Sequence, residues 1–160
     1  AEYFKNKFSL EDSIEEIMND WNTMAYNYYT NDIKLKPGAL QYLLKLKELG
    51  IKIGLATSNS MHLLTTTLKS NNAFELFDAI TVTDEVEKSK SNPDIYLLAA
   101  KKLGVNPSEC MVFEDIIAAV YGAKLAGMKV TGVYDKHSEH QIDILKKECD
   151  NYIYNYEDLI

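Results

Sequence analysis

The sequence predicts an α/β fold, a mostly parallel sheet with helices on both faces. Three observations carry the prediction. From Gly50 onward, short apolar runs alternate with amphipathic stretches of about ten residues, the pattern of strand–helix–strand units. Glycines stand at Gly50, Gly104 and Gly127, where helices are expected to stop. Three apolar runs end abruptly in hydroxyl, amide or acidic residues. In such sheets the carboxyl ends of the strands are where ligands bind.

The elements follow in order. Ser9 with Asp12 three residues on resembles a capping box, and Leu10, Ile14, Ile17, Met18, Trp21, Met24, Ala25 and Tyr28 recur at helical spacing. This predicts one long amphipathic helix over Leu10–Tyr29. Its aromatic end (Trp21, Tyr26, Tyr28, Tyr29) is expected to pack against neighbouring helices. Asn31 and Asp32 end it, and Pro37-Gly38 opens the next helix, with Leu40, Leu43, Leu44, Leu46 and Leu49 on its apolar side. Beyond Gly50, strands are expected at Ile51–Ala56, Ala79–Val82, Cys110–Phe113, Lys129–Val133 and, as an edge, Tyr152–Tyr154. Helices are expected at Met61–Ser70, from Asn92-Pro93 to Leu103, at Ala118–Ala126 and at Gln141–Lys147.

The chain has 160 residues, of which 46% are hydrophobic and 26% charged, enough for one domain with a real core. A net charge of −7 argues against nucleic acid or an anionic membrane as partner. No apolar run is long enough to span a bilayer, and the start lacks the apolar region of a signal peptide. Cys110 and Cys149 fall in unlike surroundings, one apolar and one polar, so no disulfide framework is expected and a reducing cytoplasm fits. The chain starts at Ala1 rather than Met, so it is expected to begin part-way through a larger protein.

Three strand ends carry chemistry. Thr57-Ser58-Asn59 lies between a strand end and a helix start. Unpaired N–H groups and the helix dipole favour an anion there, and hydroxyl and amide side chains suit a phosphate oxygen. Lys90 lies in a polar loop just before a helix, where its ammonium can reach a phosphate held at the neighbouring strand. Glu114-Asp115 places two carboxylates at one strand end, a hard-oxygen site suited to Mg²⁺. Together the three describe a site for a phosphate, a lysine and a magnesium ion. His137 and His140 have no third ligand and read as surface-loop residues.

From Pro37 to the end, these residues resemble the haloacid dehalogenase (HAD) superfamily, in the branch with an α-helical cap that includes β-phosphoglucomutase and small sugar-phosphate phosphatases. Leu55-Ala56-Thr57-Ser58-Asn59 looks like its second motif, Ser89-Lys90-Ser91-Asn92-Pro93-Asp94-Ile95-Tyr96 like its third, and Val112-Phe113-Glu114-Asp115 with Ala123–Met128 like its fourth. The resemblance implies a Rossmann-like core and phosphoryl transfer from a small phosphorylated substrate. It gives Thr57, with Ser58 and Asn59, the phosphoryl group to bind, Lys90 its charge to neutralise, and Glu114 and Asp115 the Mg²⁺. Residues 1–34 would be the last part of the cap, and 35–160 the core.

The sequence also departs from that pattern. Ser91 stands where the family usually has proline, Ile116-Ile117 replace small polar residues, and Val120-Tyr121 replace a commoner pair. The first motif, Asp-x-Asp-Gly-Thr, which brings the nucleophilic aspartate on a central strand, is absent: Asp78, Asp84 and Asp94 each lack a second carboxylate two positions on. The expectation is therefore a Mg²⁺-dependent phosphohydrolase or phosphomutase whose nucleophile lies in a missing N-terminal segment. That segment, or another chain, would fill a slot between the strands ending at Thr57 and Glu114. Those two strands should then stand one strand's width apart, about 9–10 Å between axes, without pairing. The alternative is a catalytically dead domain that binds a phosphorylated ligand or a protein partner. A receiver-like or nucleotide-binding module would need a Gly-rich loop or an early acidic cluster, and neither is in the sequence.

Overall fold

The computed structural model describes all residues, Ala1–Ile160. Two helices precede the α/β part: α1 (Glu2–Phe8) and α2 (Ile14–Asn31). This corrects the single helix expected from Leu10. Ser9 ends a helix rather than starting one, with its backbone in the left-handed region at φ 50°. The capping box lies four residues later: Ser13 Oγ accepts from Glu16 N–H, and Glu16 Oε2 accepts from Ser13 N–H at 2.8 Å. Glutamate reaches back to the cap where Asp12 is too short. The Lys5 ammonium donates to the carbonyls of Leu10, Glu11 and Asp12, which ties the turn between the helices to α1.

The aromatic end of α2 packs less than its composition promises. Trp21 meets Phe4 edge-on at 5.2 Å and Tyr26 stacks on His62 at 5.2 Å, yet both remain half exposed. Ile17 is the one buried residue of α2, and Ile14, Met18, Trp21 and Met24 leave an apolar face uncovered.

After α3 (Ala39–Glu48) come β1 (Gly54–Thr57), α4 (Met61–Ser70), β2 (Ala79–Val82), α5 (Asp94–Leu103), β3 (Met111–Glu114), α6 (Ile117–Leu125), β4 (Lys129–Val133), α7 (Ile142–Glu148) and β5 (Asn151–Ile153). The expected elements are all present, with ends shifted by up to three residues. The largest shift, at β1, has a cause. The Ile53 N–H donates to Asp78 Oδ2 at 2.7 Å and its carbonyl accepts from Asp78 N–H, so a side chain occupies the position a ladder partner would take. His137 and His140 lie in a short helical turn and join no metal-ligand cluster.

Every strand pair is parallel, but the strands form two sheets rather than one: β1-β2, and β3-β4-β5. β1 and β3 are not hydrogen-bonded to each other, so each has one edge unpaired within this chain. Helix α5 packs against β1, β2 and α6 and so joins the halves through side chains. Its Ile95, Tyr96 and Ala100 are buried with Val120, Ala123, Val130 and Leu145 in the larger core. A smaller core under α4 holds Leu64, Leu68 and Ala73.

The segment joining α2 to α3 is fastened on both sides. Asn71 Nδ2 donates to the Ile33 carbonyl and Asn71 Oδ1 accepts from Leu35 N–H. Lys36 Nζ donates to Asp135 Oδ2 at 2.5 Å and to the Tyr134 carbonyl at 3.0 Å, at the carboxyl end of β4. The Lys36 hydrogen bond holds the Asp135 carboxyl below its ordinary range, against the effect of burial and with help from His137 N–H. A carboxyl lowered in the folded state adds stability above its unfolded pKa, near 3.9, and loses it as the pH falls through the folded value. Asp135→Asn is therefore expected to be less stable than the parent at pH 7, with the gap closing on acidification to about pH 3. Urea midpoints at both pH values check this, and a gap independent of pH would count against it.

Candidate active site

At the carboxyl end of β1 the chain turns into α4 through Thr57-Ser58-Asn59-Ser60. Side chains of this stretch take up its own amides. Thr57 Oγ1 accepts from Asn59 N–H at 3.0 Å, Asn59 Oδ1 from Ser60 N–H at 2.9 Å, and Ser60 Oγ from Leu63 N–H at 3.4 Å. The reservoir of free N–H groups expected from the sequence is thus partly spent within the turn. The same bonds fix the side chains: with its oxygen accepting from Asn59, the Thr57 hydroxyl proton is left to donate elsewhere. Thr57 and Asn59 are half-buried and Ser58 is exposed.

At the end of β3, Glu114 is buried, at 8% exposure, and Asp115 is half-buried. Lys90 reaches across from the turn before α5 and forms an ion pair with Glu114 Oε1. A second group meets the same oxygen: the Tyr96 hydroxyl lies 2.9 Å from Glu114 Oε1 and 3.0 Å from the Ala119 carbonyl. A hydroxyl has one proton, and the charged carboxylate is the stronger acceptor. Burial first, and then the Glu114 charge and this hydrogen bond, push the Tyr96 phenol far above its ordinary range, so it stays a donor.

Thr57, Ser58, Asn59, Lys90, Glu114 and Asp115, all singled out from the sequence, line one cleft of about 460 Å³, with Ser89, Ser91, Ile116, Ala118 and Ala119. Three further residues were not legible beforehand. Tyr96 is one. Tyr156 is another: it forms an aromatic trio with Tyr42 and Phe113, and burial, with the nearby charges of Asp115 and Glu114, raises its phenol pKa. Gly122 is the third. A Cβ there would collide with the Lys90 carbonyl and come within 2.8 Å of the Asn92 carbonyl and 3.0 Å of the Tyr96 ring. Its missing side chain is what lets the Lys90 turn lie on α6.

A haloacid dehalogenase-like hydrolase family model matches residues 1–127. The chain belongs to this family. Among curated proteins, this HAD-like hydrolase is 47% identical over 103 residues to YhcW of Bacillus subtilis, assigned as a phosphatase; the match covers 64% of this chain and 47% of YhcW. The matched stretch thus spans about half the length of that relative. Among solved structures it is similar to CbbY from Rhodobacter sphaeroides in complex with phosphate, at TM-score 0.81 and 25% identity over 94% of this chain and 67% of that one. It is also similar to β-phosphoglucomutase from Clostridium difficile, at TM-score 0.71 and 27% identity over 91% and 60%. The resemblance read from the motifs is therefore correct, as is the Rossmann-like fold with helices on both faces.

The donors at the end of β3 fit a hard cation. Glu114 and Asp115 face the cleft, and Glu114 Oε2 makes no hydrogen bond or ion pair within the chain. The chain gathers no cluster of three or more His, Cys, Asp or Glu side chains. Mg²⁺ characteristically takes one or two carboxylates and completes its shell with water and substrate phosphate, so a pair is the number it uses.

Proposed function

We propose that the chain is the larger part of a HAD-type phosphohydrolase or phosphomutase acting on a small phosphorylated metabolite, a sugar phosphate. The observation that carries this is the single cleft in which Thr57, Lys90 and the Glu114-Asp115 pair converge from three separate loops. The relatives support it too: one is assigned as a phosphatase, one was solved with phosphate and one is a β-phosphoglucomutase.

In this reading the substrate phosphoryl group sits among the Thr57 hydroxyl, the Ser58 and Asn59 side chains and the Lys90 ammonium, which orient its oxygens and offset their charge. Glu114 and Asp115 hold Mg²⁺, which supplies Lewis-acid stabilisation of the phosphoryl oxygens when bound. The nucleophile is an aspartate on an N-terminal strand that fits between the unpaired edges of β1 and β3. Its carboxylate attacks phosphorus as the ester P–O bond breaks, and the departing alkoxide takes its proton from the second aspartate of the Asp-x-Asp motif on the same segment, which then takes one back from the attacking water. Water then cleaves the aspartyl-phosphate to free phosphate. Residues 1–34 are the closing part of a helical cap, and 35–160 the core. The uncovered apolar face of α2 is where the rest of that cap packs. No helix of the chain is long and apolar enough to cross a membrane. Cys110 and Cys149 are free, in keeping with a reducing cytoplasm.

The test is turnover of p-nitrophenyl phosphate. A complete protein carrying the N-terminal strand is expected to hydrolyse it with Mg²⁺ and to stop with EDTA, whereas the purified 160-residue chain is expected to be inactive. Turnover by the 160-residue chain would overturn the account of the nucleophile. A complete protein that binds phosphate without turnover would favour the dead binding domain.

A further inference from the structure

Tyr96 is 2% exposed and meets two of the three charged residues of the cleft wall, Glu114 and Lys90. Its hydroxyl reaches Glu114 Oε1 at 2.9 Å, the Lys90 ammonium lies 5.9 Å over its ring, and its edge rests where Gly122 has no side chain. Lys90 and Tyr96 both address Oε1 of Glu114, so two donors saturate one oxygen while Oε2 keeps its lone pairs. A carboxylate held this way cannot rotate about its terminal bond without breaking two charge-assisted contacts.

We propose that Tyr96 is the positioning residue of this site. It clamps Glu114 Oε1 beside Lys90 so that Oε2 is presented to the cation in a fixed direction. This rests on the reading of Glu114 and Asp115 as the cation pair. Tyr96 touches neither substrate nor cation; it acts through Glu114. Partners one step removed from a metal typically change its affinity by about 10–100-fold when altered, which sets the scale.

The experiment is Mg²⁺ titration by calorimetry on the complete protein and its Tyr96→Phe, Asp115→Asn and Glu114→Gln variants, with Tyr96→Phe/Glu114→Gln as the double variant. Tyr96→Phe keeps the ring and its packing and removes only the donor. It is expected to weaken Mg²⁺ binding about tenfold and to lower kcat at sub-saturating Mg²⁺, leaving KM for the phosphate ester unchanged. In the Glu114→Gln background the same change is expected to have little further effect on Mg²⁺ affinity, because its route is already removed. Parent-like Mg²⁺ affinity in Tyr96→Phe, with Asp115→Asn impaired, would overturn the role of Tyr96 while leaving the cation pair in place. Parent-like affinity in both would overturn the cation pair and this proposal with it. A full tenfold loss on adding Tyr96→Phe to Glu114→Gln would show that Tyr96 acts by another route and would also overturn the proposal. A Tyr96→Phe variant too unstable to titrate is replaced by Tyr96→Met, an adaptable apolar side chain without a donor, held to the same criteria.

Discussion

Lys90→Ala is expected to lower kcat of the complete protein by about 10²–10³-fold, the scale seen when one preorganised group opposing transition-state charge is removed. The structure adds a second signature. Lys90 is ion-paired to Glu114, which is 8% exposed. Removing the lysine leaves that carboxylate with Tyr96 as its remaining partner. An incompletely satisfied buried charge costs about 1–3 kcal/mol, so the metal-free variant should unfold at lower denaturant. Added Mg²⁺ should restore part of that loss, because the cation supplies the missing positive charge. Asp115→Asn is expected to behave in the opposite way, weakening Mg²⁺ binding and kcat together with little change in metal-free stability. Steady-state kinetics and urea midpoints with and without Mg²⁺ separate the two, and near-parent kcat in both variants would place the site elsewhere.

Gly122→Ala is the second change expected to have a large effect, although alanine is ordinarily the better helix former. Here the added methyl meets backbone carbonyls of the Lys90 turn, atoms that cannot swing aside as a side chain end can. Either the turn lifts off α6 or α6 shifts. Overpacking of this kind costs about 1–3 kcal/mol. Since Lys90 rides on that turn, a displacement of about 1 Å is enough to cost roughly 10²-fold in kcat. A Gly122→Ala protein with parent stability and parent kcat would mean that α6 does not set the height of the lysine.

What could be read in advance follows from the distance over which each feature is determined. Thr57, Lys90 and Glu114-Asp115 are marked by local transitions from apolar run to polar end, and their convergence follows from the parallel sheet. Tyr96 and Gly122 could not be assigned in the same way. Tyr96 looks like one more apolar residue of α5, and its hydroxyl acquires meaning through Glu114 on β3 and Ala119 on α6. Gly122 looks like a weak point in a helix until the carbonyls of Lys90 and Asn92 are seen against it. The misplaced start of α2 has another origin: Ser9-x-x-Asp12 and Ser13-x-x-Glu16 are nearly the same signal four residues apart. The longer acid prevailed because its carboxylate reaches the cap amide. The break between β1 and β3 was inferable from the resemblance alone; periodicity says which residues are strands, not which strands are neighbours.

The division into two parallel sheets bears on how the chain reaches its native state. Gly54 aligns with Ala79, Met111 with Lys129, and Thr131 with Asn151, so each ladder joins segments linked by a single intervening helix. The entropy of closing such loops grows only with the logarithm of their length, and folds rich in short-range pairing assemble quickly. Parallel sheets usually have to wait for distant strands to meet. In this chain the distant meetings are made by helices and a turn: α2 against α4, and the start of α3 against the turn at Tyr156–Leu159, where Tyr156 N–H donates to the Pro37 carbonyl. On this reasoning each half-sheet can form from its own short-range pairings, and α5, which packs on β1 and β2 and also meets α6, is the element that brings the halves together.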